Sequence, residues 1–119
     1  MNIRSLALAA ALVVNSGFAF AEGAIAVDDQ AGSKPGDAGY GVGYGDTKES
    51  AQAAALKKCT DMGNDQCKVV VWYKKCGAYA SSAEKFGIGY ADTEESAKSM
   101  ALAQCSVSSC RVVASDCDE

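Results

Sequence analysis

Histidine is absent from all 119 residues. With it go the Ser-His-Asp and Cys-His nucleophiles, His-ligated zinc, and any side chain whose unperturbed pKa lies near neutrality. Proline and tryptophan occur once each. No two of the six cysteines stand as C-x2-C, the spacing that a zinc ribbon or a thioredoxin-like redox pair needs. Positive charge is also scarce, at 11 Lys+Arg against 15 Asp+Glu. The basic pairs Lys57-Lys58 and Lys74-Lys75 are too few to displace counterions from a phosphate backbone, so no nucleic-acid partner is expected. They read as solvated faces, and Lys74-Lys75 also as the blunting of a strand edge. The length excludes a large multidomain enzyme and allows one modest domain.

Only one long apolar run is present, Leu6 to Val14, and it is far short of the roughly 20 residues that cross a bilayer. It follows the positive start Met1-Asn2-Ile3-Arg4 and precedes Ala19-Phe20-Ala21, an A-x-A cleavage site. Residues 1–21 therefore read as a signal peptide cleaved after Ala21, followed by a single domain over 22–119. The expected location is the periplasm or the secreted fraction, with no membrane span after cleavage. Glu22, where a lipoprotein would carry Cys, argues against a lipid anchor. Loss of Arg4 with the leader leaves the mature chain at a net charge of −5.

What is abundant is repetition. Tyr40-Gly-Val-Gly-Tyr-Gly-Asp-Thr, running on to Cys59, returns as Phe86-Gly-Ile-Gly-Tyr-Ala-Asp-Thr, running on to Cys105, at a constant offset of 46. Gly23-Ala-Ile-Ala26 is matched by Gly77-Ala-Tyr-Ala80, and Cys67-Lys-Val-Val70 by Cys110-Arg-Val-Val113. The domain is thus two copies of one unit, over about 23–76 and 77–117.

Each copy reads as strand, strand, helix, strand. Ala24 to Val27 and Gly77 to Ala80 are short apolar strands. The second strand alternates, with Tyr40, Val42 and Tyr44 on one face and glycines on the other; its copy sets Phe86, Ile88 and Tyr90 opposite Gly87, Gly89 and Ala91. A bare glycine face implies close approach by another element, and the helix rich in small residues that follows is the candidate. Asp46-Thr-Lys-Glu49 and Asp92-Thr-Glu-Glu95 have the spacing of capping boxes, with Thr47 and Thr93 as the alternative caps. Stripes Ala51, Ala55, Cys59 and Ala97, Ala101, Cys105 give each helix a narrow face. Val69 to Tyr73, apolar on both faces, reads as a central strand, and Arg111 to Ala114 as its shorter copy. The fold expected is α+β: a duplicated β-β-α-β unit, mostly antiparallel, with two helices on one face and disulfide staples.

Six cysteines allow fifteen complete pairings, and the repeat narrows them. Cys59 with Cys67, and Cys105 with Cys110, flank equivalent turns between helix and third strand and can close locally. Cys76 and Cys117 remain, each following a third strand, and are expected to meet near a pseudo-twofold axis. No metal and no cofactor is expected.

Candidate chemistry meets a plainer reading at each position. Asp46 and Asp92 are equivalent carboxylates, which a glycosidase would hold about 5 to 9 Å apart, but their place at helix starts accounts for them. Asp28 and Asp29 lack the alternating ligand pattern of a calcium loop and read as solvated. Gly41-Val-Gly43-Tyr-Gly45 lacks the spacing of a dinucleotide loop and recurs as an ordinary strand. Trp72 and Tyr73 read as core and sheet face. Tyr40, Tyr44, Phe86 and Tyr90 form the candidate recognition surface, because two copies can combine their aromatic faces into one site or a homodimer interface if nothing covers them. No catalytic residue is assigned.

Gly23 to Val27, Ala51 to Cys59 and Cys67 to Val70, repeated as Gly77 to Ala80, Ala97 to Cys105 and Cys110 to Cys117, resemble the exported bacterial proteins grouped as domain of unknown function 4189. The likeness covers residues 23 to 117. It implies an exported, disulfide-bonded domain and transfers no catalytic residue. The function expected is a non-enzymatic protein-binding module, such as an inhibitor or immunity-type protein against an envelope-acting hydrolase or toxin, to which an acidic surface offers complementary charge. The alternatives are a secreted effector or adhesin-like protein acting on a host surface and, more remotely, a histidine-free hydrolase using paired carboxylates.

Overall fold

The computed structural model describes residues 22–29 and 39–117. The leader and most of the loop after Asp29 lie outside the described residues. The elements are β1 (Glu22–Asp28), β2 (Gly39–Gly45), α1 (Lys48–Asp61), β3 (Lys68–Tyr73), β4 (Cys76–Ser81), β5 (Phe86–Ala91), α2 (Glu94–Cys105) and β6 (Arg111–Cys117). This is the β-β-α-β unit twice over, α+β and antiparallel throughout. Cys76 already belongs to β4, so the junction between copies falls at Lys74-Lys75.

Both helices start on threonine. Thr47 Oγ1 accepts from the Ser50 N–H at 3.1 Å, and Ser50 Oγ accepts from the Thr47 N–H at 3.1 Å, a reciprocal capping box. Thr93 Oγ1 accepts likewise from the Ser96 N–H at 3.1 Å. The expected caps Asp46 and Asp92 thus stand one residue too early. The threonines have the extended backbone of an N-cap, and serine three residues on completes the first box where the sequence pattern suggested glutamate.

The glycine faces behave as the alternation implies. A Cβ at Gly43 would collide with the backbone of Ala54 and Ala55, and one at Gly89 with the Ala97 carbonyl and the Ala101 N–H. Each helix lies directly on its strand backbones through Ala51, Ala55 and Cys59 or Ala97, Ala101 and Cys105, all wholly buried. Ala24 and Ala26 close this layer in the first unit, Ala78 and Ala80 in the second.

Two expectations fail here. Val69 to Tyr73 is not a central strand: the orders are β2-β1-β3 and β5-β4-β6, so the short alanine-rich strands are central. β3 is apolar on both faces because one meets the helix layer and the other the second sheet, and neither requirement depends on a central position. Nor is there one sheet with an open far face. Each unit forms its own three-stranded sheet carrying its helix outside, and the two sheets pack face to face, giving four layers. Ile25, Val27, Val71 and Tyr73 of the first sheet meet Tyr79 and Ala114 of the second, with Val42 and Ile88 packed against them. Two copies with matching apolar inner faces remove most surface from water by covering each other.

All three disulfides pair as expected: Cys59–Cys67, Cys105–Cys110 and Cys76–Cys117. The third does not lie between the copies, however. Cys76 and Cys117 are register partners on adjacent strands β4 and β6, inside the second sheet. Three bridges and no free cysteine fit an oxidising, exported environment. No helix among the described residues is long and apolar enough to cross a membrane.

Candidate functional site

The four aromatic candidates are placed on two edges of the sandwich rather than on one surface. Tyr40 and Tyr44 lie on β2, which packs over β6, whereas Phe86 and Tyr90 lie on β5, beside β3. Tyr44 reaches across the sheets and its hydroxyl donates to the Asp116 carboxylate. Tyr73, the first-copy equivalent of Asp116, is buried and approaches the same carboxylate at 3.5 Å. Its ring occupies the room that a side chain at Gly23 or Gly77 would need, so the equivalent glycines of the two central strands are filled by one aromatic. Phe86 stacks on Tyr79 with ring centroids 6.1 Å apart yet remains 61% exposed. Tyr90 is 55% exposed.

These contacts make the two flanks of the sandwich unequal. On the β2–β6 flank, Tyr44 and Asp116 tie the sheets together. The β3–β5 flank is open, a groove of about 520 Å³ lined by Val70, Val71, Tyr73, Ile88, Tyr90 and Ala91, with Lys74, Lys75 and Asp92 at its polar margin. Trp72 contributes to the same wall. Its indole N–H donates to Glu22 Oε1 at 2.6 Å, and Lys48 Nζ stands 4.8 Å from the ring centroid, fixing the side chain. The asymmetry arises because β6 carries Ser115 and Asp116 where β3 carries Trp72 and Tyr73.

The loop aspartates are not both solvated. Asp28 ends β1, is 3% exposed, and its carboxylate accepts from the Gln66 N–H at 3.1 Å. Asp29 accepts from the Tyr79 hydroxyl at 3.0 Å, with Lys68 Nζ 3.9 Å away. Burial first, and then the Asp29 charge and hydrogen bond, push the Tyr79 hydroxyl well above its usual range. Asp46 and Asp92 are exposed at the entries to different helices. No group of three or more metal-ligating side chains occurs among the described residues.

Pattern reading could not find the groove, because it is built between the two copies, from β3 of one and β5 of the other. The signal available was the departure from the repeat itself, Trp72-Tyr73 against Ser115-Asp116. A family model described as a domain of unknown function, DUF4189, matches residues 23–117, spanning both copies. No curated protein and no solved structure matches the chain.

Proposed function

The chain belongs to the DUF4189 family, and from that premise we propose that it is a non-enzymatic module that binds another protein through the open β3–β5 flank. The observation carrying this reading is the contrast between flanks: Tyr44–Asp116 closes one, while the other keeps Tyr90 exposed beside an apolar groove. An exposed aromatic next to such a groove supplies the anchor and pocket on which protein interfaces concentrate their energy. Burial of the rest of the core and three disulfides hold that flank in place before binding, which lowers the ordering cost of association. The exported, acidic frame favours a basic envelope-acting hydrolase or toxin, which the module would inhibit.

The test uses mature oxidised protein, immobilised and exposed to envelope and culture-supernatant fractions. A retained protein should bind Tyr90→Ser at least tenfold more weakly, the usual scale for an aromatic anchor, while the melting temperature stays within a degree or two of the parent. Retention of the same protein with undiminished affinity by the variant sinks the proposal.

A further inference from the structure

The outer strands β2 and β5 are repeat equivalents, but among the described residues only the β5 edge is covered by side chains of its helix. On β5 the N–H groups of Ile88 and Tyr90 point away from β4 and are met by α2: Ile88 N–H donates to Gln104 Oε1 at 3.1 Å, and Tyr90 N–H to Met100 Sδ at 3.4 Å. The helix thus closes the sheet edge with two side chains, a recognised way of preventing strand addition. In the first copy the equivalent positions of α1 are Lys58 and Ala54. Lysine has no acceptor to offer an N–H. Val42 pairs with Ile25 as Ile88 pairs with Tyr79, so its N–H also points outward, and no described side chain accepts from it. In place of the cover there are two adjoining hollows along β2. One, of about 600 Å³, runs from Gly39 to Val42 beside Lys58, Met62 and Asn64. The other, of about 410 Å³, lies over Gly43 and Ala54 beside Lys57, Lys58 and Asp61.

We propose that the β2 edge is a strand-addition site for an extended acidic segment of a partner protein. Main-chain hydrogen bonds to β2 supply the attachment, and alternate side chains of the added strand enter the hollows, as in other sheet-edge recognition. Charge selects the occupant. Lys58 borders both hollows, whereas Lys57 is held by Asp61 at 2.9 Å, so a carboxylate on the added strand has an ammonium group to meet. A second copy is disfavoured by the same residue: antiparallel pairing of two β2 strands about Val42 brings two Lys58 side chains to one place. The site lies on the flank opposite the Tyr90 groove and stands or falls independently of the binding reading above.

The experiment is amide NMR on the mature oxidised protein, with two capped ten-residue peptides as probes, one alternating valine with glutamate and the other valine with lysine. In the free protein the Val42 amide should exchange at least tenfold faster than Ile88. The glutamate peptide should shift resonances of residues 39–45 and of the facing turns of α1, saturably and at least tenfold more tightly than the lysine peptide. Ala54→Met with Lys58→Gln installs the cover of the second copy and should abolish those shifts while the spectrum stays folded. The converse pair, Met100→Ala with Gln104→Lys, should create binding at β5. Equal protection of Val42 and Ile88, undiminished binding by the covered variant, equal affinity for both peptides, or concentration-dependent self-association through β2 each overturns the proposal. Loss of peptide binding by Tyr90→Ser would place the peptide in the other groove and overturn it too.

Discussion

At the residue scale, one polar contact between the copies has a consequence for stability, the pair Tyr79 and Asp29. Tyr79 is 1% exposed, and its hydroxyl donates across the sheets to the aspartate that follows β1. Its pKa is raised in the folded chain, chiefly by burial and then by Asp29. Below the ordinary tyrosine value of 10.0 both states hold the proton and this linkage leaves stability unchanged. Above it the unfolded chain loses the proton while the folded chain keeps it, so stability falls as pH rises. Urea midpoints between pH 8 and 11.5 should therefore fall more steeply for the parent than for Tyr79→Phe, which lacks the titrating group. Parallel curves would show that the hydroxyl is not held protonated by the fold. Nothing in the sequence revealed this pair, because Asp29 sits in a loop-like stretch and its partner lies 50 residues away. Thr47 and Thr93 were legible as alternatives to Asp46 and Asp92, since the choice between neighbouring caps turns on backbone angles that composition does not report.

At the element scale, the legible features were those set by local periodicity. Alternation in Gly39–Gly45 and Phe86–Ala91 foretold a glycine face under each helix, and the structure has it. Gly43→Ala and Gly89→Ala should each cost about 1–3 kcal/mol or more, the usual range for overpacking, because the new methyl meets helix backbone that cannot rotate aside. Gly63→Ala is the contrasting control: no atom lies within 4 Å of its added carbon, and only the positive φ of 96° opposes it. Thermal unfolding of the three variants measures this directly, and a cost at Gly43 no larger than at Gly63 would mean that α1 does not sit on β2 as described. Strand order was not legible. Ala24 to Val27 is a weaker strand pattern than Val69 to Tyr73, yet it is central: Ala24 and Ala26 let the helix approach closely on one face, while Ile25 and Val27 meet the second sheet on the other.

At the scale of the whole molecule, the repeat announced two equal units but not how they meet. A unit with one glycine face and one aromatic face has two ways to bury the second: beneath its own connections or against its copy. Only the tertiary structure distinguishes them. The face-to-face answer has a covalent consequence, since every disulfide lies inside one unit. Cys59–Cys67 staples α1 to β3, while Cys105–Cys110 and Cys76–Cys117 both belong to the second unit. The copies are therefore joined covalently only by the chain at Lys74-Lys75, and otherwise by the shared core of Ile25, Val27, Val71, Tyr73, Tyr79 and Ala114 and by the hydrogen bonds of Tyr44 and Tyr73 to Asp116 and of Tyr79 to Asp29. A specific protease site inserted between Lys74 and Lys75 allows that single link to be cut. In native buffer the cut protein should migrate as one species, because the buried interface remains. In denaturant, without any reductant, it should separate into two fragments, the first holding one disulfide and the second two, as unreduced mass spectrometry would show. Fragments that stay linked until reduced would require a bridge between the copies, and the face-to-face arrangement of two separately stapled sheets would then be wrong.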